Sequence, residues 1–274
     1  EFRRVLFRSL MKMESELWFK KLRGDIISMI ESYEDSSFIE KKWNHSHDGG
    51  GLMSTIRGRL IEKGGVNIST VSGVFSEKMR ERIPGAKSDP SYWATGISVV
   101  LHPLNPNIPS MHFNTRFLET TQSWFGGGID LTPCLDFRKE KQSFHKSLEK
   151  LCSKHDETYY SKYKKWCDEY FFIKHRNEMR GVGGIFFDYL NSGNIKKDFS
   201  FTKDVGNYFL EYVEKIIKEK KDLEWTDSDK ETQHLKRGRY VEFNLVYDRG
   251  TKFGLETGGN TDAILMSLPP KAKW

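Results

Sequence analysis

The chain has 274 residues, 37% of them hydrophobic and 30% charged, with a formal net charge of +6. That length can bury a substantial core, and no apolar run approaches the ~20 residues needed to span a bilayer, so integral membrane insertion is not expected. The positive charge suits an acidic small molecule, although lysines scattered over solvated helix faces account for it too; no basic-aromatic motif marks a nucleic-acid module, and nucleic acid is not an expected partner.

Residues 1–10 (EFRRVLFRSL) carry too short and interrupted an apolar stretch for a secretion signal. They are expected to be an added extension, leaving 11–274 as a single domain. From Glu14 to Ser32, Leu17, Trp18, Leu22, Ile26, Ile27 and Ile30 recur at helical spacing. Asp48–Gly51 is a glycine-rich passage, a strand is expected around Leu60, and Gly64–Ser69 is punctuated like a loop. Trp93–Leu101 is apolar and β-branched, a strand, and prolines 103, 106 and 109 make the next segment a connection.

Met111–Glu119 alternates cleanly: Met111, Phe113, Thr115 and Phe117 face one way, and His112, Asn114 and Arg116 the other. Trp124–Thr132 is expected to be a further strand, with Asp130 and Thr132 on one side. Helical patterns follow over 141–176 and over Asp204–Lys220, with a strand at Gly183–Leu190 between them. Arg239–Asp248 alternates, with Val241, Phe243, Leu245 and Tyr247 on one face, and is expected to be a strand. The irregular mixture of helices and strands predicts one α+β domain with a largely antiparallel sheet.

Cys134, Cys152 and Cys167 form an odd set without a CxxC pair, as expected of reduced thiols in a cytoplasmic protein. Gly126–Gly128 and the Gly181-Val-Gly-Gly184 run fit neither a dinucleotide fingerprint nor a P-loop; they leave bare backbone against which a flat ligand can lie. None of the eight histidines falls in an HExxH motif. His102, His112, His145 and His175 can be read as metal ligands or as packed side chains. Arg116 and Asp130 can be a structural ion pair, or Arg116 can grip an anionic substrate while Asp130 accepts hydrogen bonds and His112 moves a proton.

Several long blocks, in order, carry a resemblance. They are His112-Phe-Asn-Thr-Arg-Phe, Trp124-Phe-Gly-Gly-Gly-Ile-Asp-Leu-Thr-Pro133, Lys164–Phe171, Arg180-Gly-Val-Gly-Gly-Ile-Phe-Phe-Asp188, Gly238–Gly250, Phe253–Gly259 and Ile264–Pro270. Over Trp43–Trp274 the chain resembles the oxygen-dependent coproporphyrinogen-III oxidases. The resemblance implies a large, flat, mainly antiparallel sheet with helices on both faces. The implied reaction is oxidative decarboxylation of two propionates of coproporphyrinogen III to vinyl groups in haem biosynthesis, with O2 as co-substrate and no organic cofactor. It implies a homodimer with contacts from the stretch after Tyr240. Asp130 would bind pyrrole N–H groups, Arg116 a propionate, and His112 would donate a proton. Ser98, Asn114, Thr115, Gly258, Gly259 and Asn260 would complete the substrate site, and His102, His112, His145 and His175 match a proposed divalent-metal set. The chain departs from the pattern at Thr115 and Leu118, where aromatics are expected, and at Asn260, which stands in place of an Arg. A tetrapyrrole carrier would not require both Asp130 and Arg116, and a histidine-based metallohydrolase would require a tight ligand cluster.

Overall fold

The computed structural model describes residues 2–256 and 260–274. Helix α1 (Phe2–Glu31) comes first, burying Phe19, Leu22, Ile26 and Ile30 along one stripe. Strands β1 (Ile39–Asn44), β2 (Asp48–Ile56) and β3 (Ile61–Val74) follow, then the short helix α2 (Glu77–Arg80) and strands β4 (Ser91–Pro103), β5 (Ser110–Glu119) and β6 (Ser123–Thr132). Next are α3 (Arg138–Ser153), α4 (Tyr159–Tyr170), the small hairpin β7 (Phe172–Ile173) and β8 (Glu178–Met179), and strand β9 (Gly183–Leu190). The chain closes with α5 (Ile195–Lys220), α6 (Asp227–Val246), α7 (Arg249–Glu256) and α8 (Thr261–Leu265). One sheet runs β1-β2-β3-β4-β5-β6-β9, and every neighbouring pair is antiparallel. Helices cover both of its faces, the α+β arrangement the sequence predicts.

Period-two alternation sorts the two faces. Ile97, Val99, Met111, Phe113, Phe117, Phe125, Ile129, Ile185 and Phe187 point into the main core beneath α1 and α5. Phe113 stacks on Phe209, and Phe125 on Phe199. The other face, carrying Ser98, Val100, His112, Asn114 and Arg116, is roofed by the C-terminal helices: Tyr240 and Met266 pack on Val100, and Phe243 joins Cys167, Phe171 and Ile173. Among the described residues no helix is long and apolar enough to cross a membrane. All three cysteines are buried and free.

Three local expectations are corrected. Arg239–Asp248 is not a strand: through Val246 it belongs to α6. This helix starts at a capping box between Thr226 and Asp229, and besides Gly238 its buried residues, Gln233, Arg237, Tyr240, Phe243 and Asn244, have helical spacing. Three of those five residues are polar, so the apolar residues alone suggest the wrong period. Gly64–Ser69 is the middle of β3 rather than a loop. A Cβ on Gly65 would lie 1.8 Å from Met266 Sδ, so glycine there marks the close seating of the C-terminal segment on the sheet. The helical pattern over 141–176 ends at Tyr170; Phe172–Met179 turns back on itself through a 3-10 turn at Lys174–Arg176 and Asn177, whose φ is +51°.

Candidate active site

The alternation of β5 sets His112, Asn114 and Arg116 side by side, and register places Ser98 of β4 opposite Asn114. His112 faces Asp130 across the β5–β6 pair, while Arg116 faces Gly126. The polar side chains form a continuous line. Arg180 donates to Asp130 Oδ2, and His112 Nδ1 donates to Asp130 Oδ1 at 2.6 Å. Asn114 Nδ2 lies 3.2 Å from His112 Nε2, and Arg116 Nη2 lies 2.6 Å from Asp188 Oδ2. With Asp130 accepting from Nδ1 and the Asn114 amide facing Nε2, these partners hold the Nδ1 proton toward Asp130. Nε2 is then the atom on which a proton can be taken up or released.

Arg180 is the buried anchor of this line. Its guanidinium lies 4.0 Å from the Phe171 ring centroid, 4.5 Å from Tyr240 and 4.9 Å from Phe243, and Nη1 also donates to Asn244 at 3.3 Å. Burial pushes the Asp130 carboxyl up, but the charges of Arg180 and His112, with their hydrogen bonds, outweigh it and hold the group below its ordinary value. Burial works against the charge on Arg180 as well, and Asp130 reverses it. Asp130 therefore stays an anion with both oxygens engaged. At 3% exposure it lies beneath the cleft surface, its two oxygens taken up by His112 and Arg180.

The remaining sequence-predicted residues divide. Ser98 and Asn114 share the face with His112. Thr115 does not: it is 1% exposed, paired with Ile97 on the core face, because side chains alternate along β5. This corrects its expected place in the substrate site. Asn260 caps α8, its Oδ1 accepting from Ala263 N at 2.9 Å. Gly258 and Gly259 lie outside the described residues. The glycines of β6 do not leave an empty platform. A Cβ on Gly126 would lie 2.5 Å from Asp188 Oδ1, and one on Gly128 would lie 3.2 Å from the Phe186 ring, so protein atoms take that room.

The four histidines matched to a metal set occupy four separate settings. His102 is fully buried between Ser110 Oγ at 3.0 Å and the Ser267 carbonyl at 2.8 Å. His145 pairs with the Val182 carbonyl at 2.8 Å and the Tyr160 hydroxyl at 3.1 Å. His175, at the hairpin tip, bonds Glu242 at 2.6 Å and the Tyr247 hydroxyl at 2.8 Å. Among the described residues no three His, Cys, Asp or Glu side chains are gathered as metal ligands, and these four imidazoles as arranged do not fit a single ion.

Burial pushes His102 down to about 3. The unfolded chain takes up a proton at the ordinary 6.5 while the folded one does not, so His102 costs stability as pH falls below that value. Its contribution should be about 1.4 kcal/mol per pH unit across that window. Denaturant unfolding between pH 7 and 4 should show a shallower acid loss for His102→Asn than for the wild type; parallel curves would contradict this.

The comparisons with known proteins bear on this geometry. Residues 14–274 match the family model described as coproporphyrinogen III oxidase. The chain belongs to that family. It is similar to the oxygen-dependent coproporphyrinogen-III oxidase of Rickettsia bellii strain RML369-C, 53% identical over 94% of this chain and 96% of that protein. The proteins of the same description from Rickettsia akari (53%) and Rickettsia rickettsii strain Sheila Smith (52%) match over the same shares. Within this family fold, sequence reasoning missed Arg180 and Asp188 as members of the polar line. Both stand in the block Arg180–Asp188, but an Arg ahead of a glycine turn and an Asp inside a strand carry no sign of the partners that folding gives them.

Proposed function

We propose that the chain catalyses the O2-dependent oxidative decarboxylation of two propionates of coproporphyrinogen III, giving the divinyl product protoporphyrinogen IX. The observation that carries this reading is the polar line on one sheet face of a member of this family. It has a cation at Arg116 suited to a carboxylate, and a proton-bearing imidazole at His112 backed by the buried Asp130–Arg180 pair. In each conversion a propionate loses CO2 and, from the carbon next to the ring, one hydrogen; O2 accepts the two electrons released. Electron density left on the carbon next to the ring spreads into the pyrrole until O2 takes the pair and, with two protons, leaves as H2O2; the pair freed by the departing CO2 then closes the vinyl double bond. Arg116 holds a carboxylate, Asn114 and Ser98 flank it, and His112 Nε2 moves the proton. The same reading assigns the protein to the cytoplasm as a homodimer.

Turnover in sealed vessels tests this. Two CO2 per coproporphyrinogen are expected with O2 and none without it. Conversion under strict anaerobiosis, or none in air, would overturn the reading.

A further inference from the structure

The polar line ends at Asp188, and the backbone there departs from regular strand geometry. Along most of the β6–β9 pair the register is even, with Gly128 opposite Phe186 and Gly127 opposite Phe187; it then slips, so that Phe125 faces Leu190. The slip is a β-bulge at Asp188–Tyr189, and Tyr189 takes a left-handed φ of +53°, a conformation a non-glycine residue rarely adopts without compensation. Leu190 thereby fills the core position opposite Phe125, while Asp188 and Tyr189 both go to the cleft face, Tyr189 packing on Trp124 with ring centroids 5.4 Å apart. The Tyr189 N–H donates to Asp188 Oδ1 at 2.9 Å, fixing the carboxylate. Arg116 crosses the bare backbone of Gly126 to meet it, for a Cβ on Gly126 would lie 3.0 Å from Arg116 Cζ as well as against Asp188. A bulge, a strained tyrosine and a glycine together bring one carboxylate to one guanidinium.

We propose that Asp188 is an internal counter-ion of Arg116, displaced by a substrate carboxylate and returning to Arg116 when that carboxylate leaves. This rests on the reading that Arg116 receives a carboxylate of the tetrapyrrole. The pair is partly exposed, 34% for the Arg116 side chain and 17% for Asp188, so its exchange is within reach of a binding ligand. An arriving carboxylate meets a neutralised rather than a bare cation, which lowers affinity. It also keeps the guanidinium from being left unpaired when the ligand departs. Asp188 is thus a positioning residue that sets affinity.

The probe is coproporphyrin III, the aromatic and unreactive tetracarboxylate, titrated by fluorescence against wild type, Asp188→Asn, Asp188→Ser, Arg116→Ala and the Arg116→Ala/Asp188→Asn double variant. The expected result is a Kd roughly three- to tenfold lower in Asp188→Asn, with a matching fall in KM for coproporphyrinogen and a kcat no higher than wild type. The gain should vanish in the Arg116→Ala background, and the tetramethyl ester, which has no carboxylates, should bind the variant no better. Damage to the bulge alone would weaken binding. Equal or weaker binding in Asp188→Asn, or the same gain without Arg116, overturns the proposal; should Asp188→Asn not fold, Asp188→Ser is held to the same criteria. If wild type binds no coproporphyrin at all, the functional reading fails and this inference with it. If wild type binds and Asp188→Asn gains nothing, only the counter-ion role fails.

Discussion

Replacing Asp130 with asparagine is expected to lower kcat by at least about a hundredfold while leaving KM within a few-fold of wild type. The variant keeps the shape of the carboxyl but not its charge or its two acceptor oxygens. In the native site one oxygen takes the His112 Nδ1 proton and the other an Arg180 N–H. An amide has a single acceptor, so one of these bonds is lost, and no anion remains to stabilise the imidazolium when Nε2 takes up a proton. Arg116, the proposed carboxylate grip, pairs with Asp188 rather than Asp130, so ground-state binding should survive. Steady-state kinetics on coproporphyrinogen under air supplies the check. Arg116→Ala should show the opposite pattern, with KM rising more than kcat falls. Activity of Asp130→Asn within twofold of wild type would rule out the proposed part played by Asp130 and His112.

The second large effect is on stability. Arg180→Met should destabilise the fold by about 3–5 kcal/mol, because it strands the Asp130 carboxylate in a buried site without its cation. In a chain of this size that corresponds to a fall in Tm on the order of 10 °C. Methionine fills much of the space between Phe171, Tyr240 and Phe243, so the loss should come from the unpaired charge more than from a cavity. The double variant Arg180→Met/Asp130→Asn should therefore recover most of the stability and none of the activity. Scanning calorimetry of the two single variants and the double closes the cycle; additive losses would mean the pair is not coupled. Acid provides a second reading of the same pair. The folded Asp130 carboxyl titrates below its ordinary 3.8, so its contribution is present above that value and disappears as pH falls through the lower, folded one. Arg180→Met should lack that acid limb.

The sequence alone determined the α+β class, the two central strands and the shared face of His112, Asn114 and Arg116. Side-chain direction in a strand has a period of two, and β5 follows it at every position from Met111 to Leu118. The same rule excludes Thr115 from the cleft. Alternation misled at Arg239–Asp248 because the buried face of α6 includes Gln233, Arg237 and Asn244, polar residues that hydrogen-bond to distant parts of the chain. A glycine-rich stretch misled at Gly64–Ser69 because Gly65 makes room for Met266, some 200 positions away in the chain.

Only the tertiary structure decided how the charges pair. Arg116 and Asp130 were candidates for one ion pair, yet each has another partner. Arg180 reaches Asp130 from the turn before β9, inside a cage assembled from Phe171 at the end of α4 and from Tyr240 and Phe243 on α6. Asp188 reaches Arg116 through a bulge that shifts register by one residue. Pairing of buried charges depends on which elements meet and on single-residue register, and neither leaves a periodic trace along the chain.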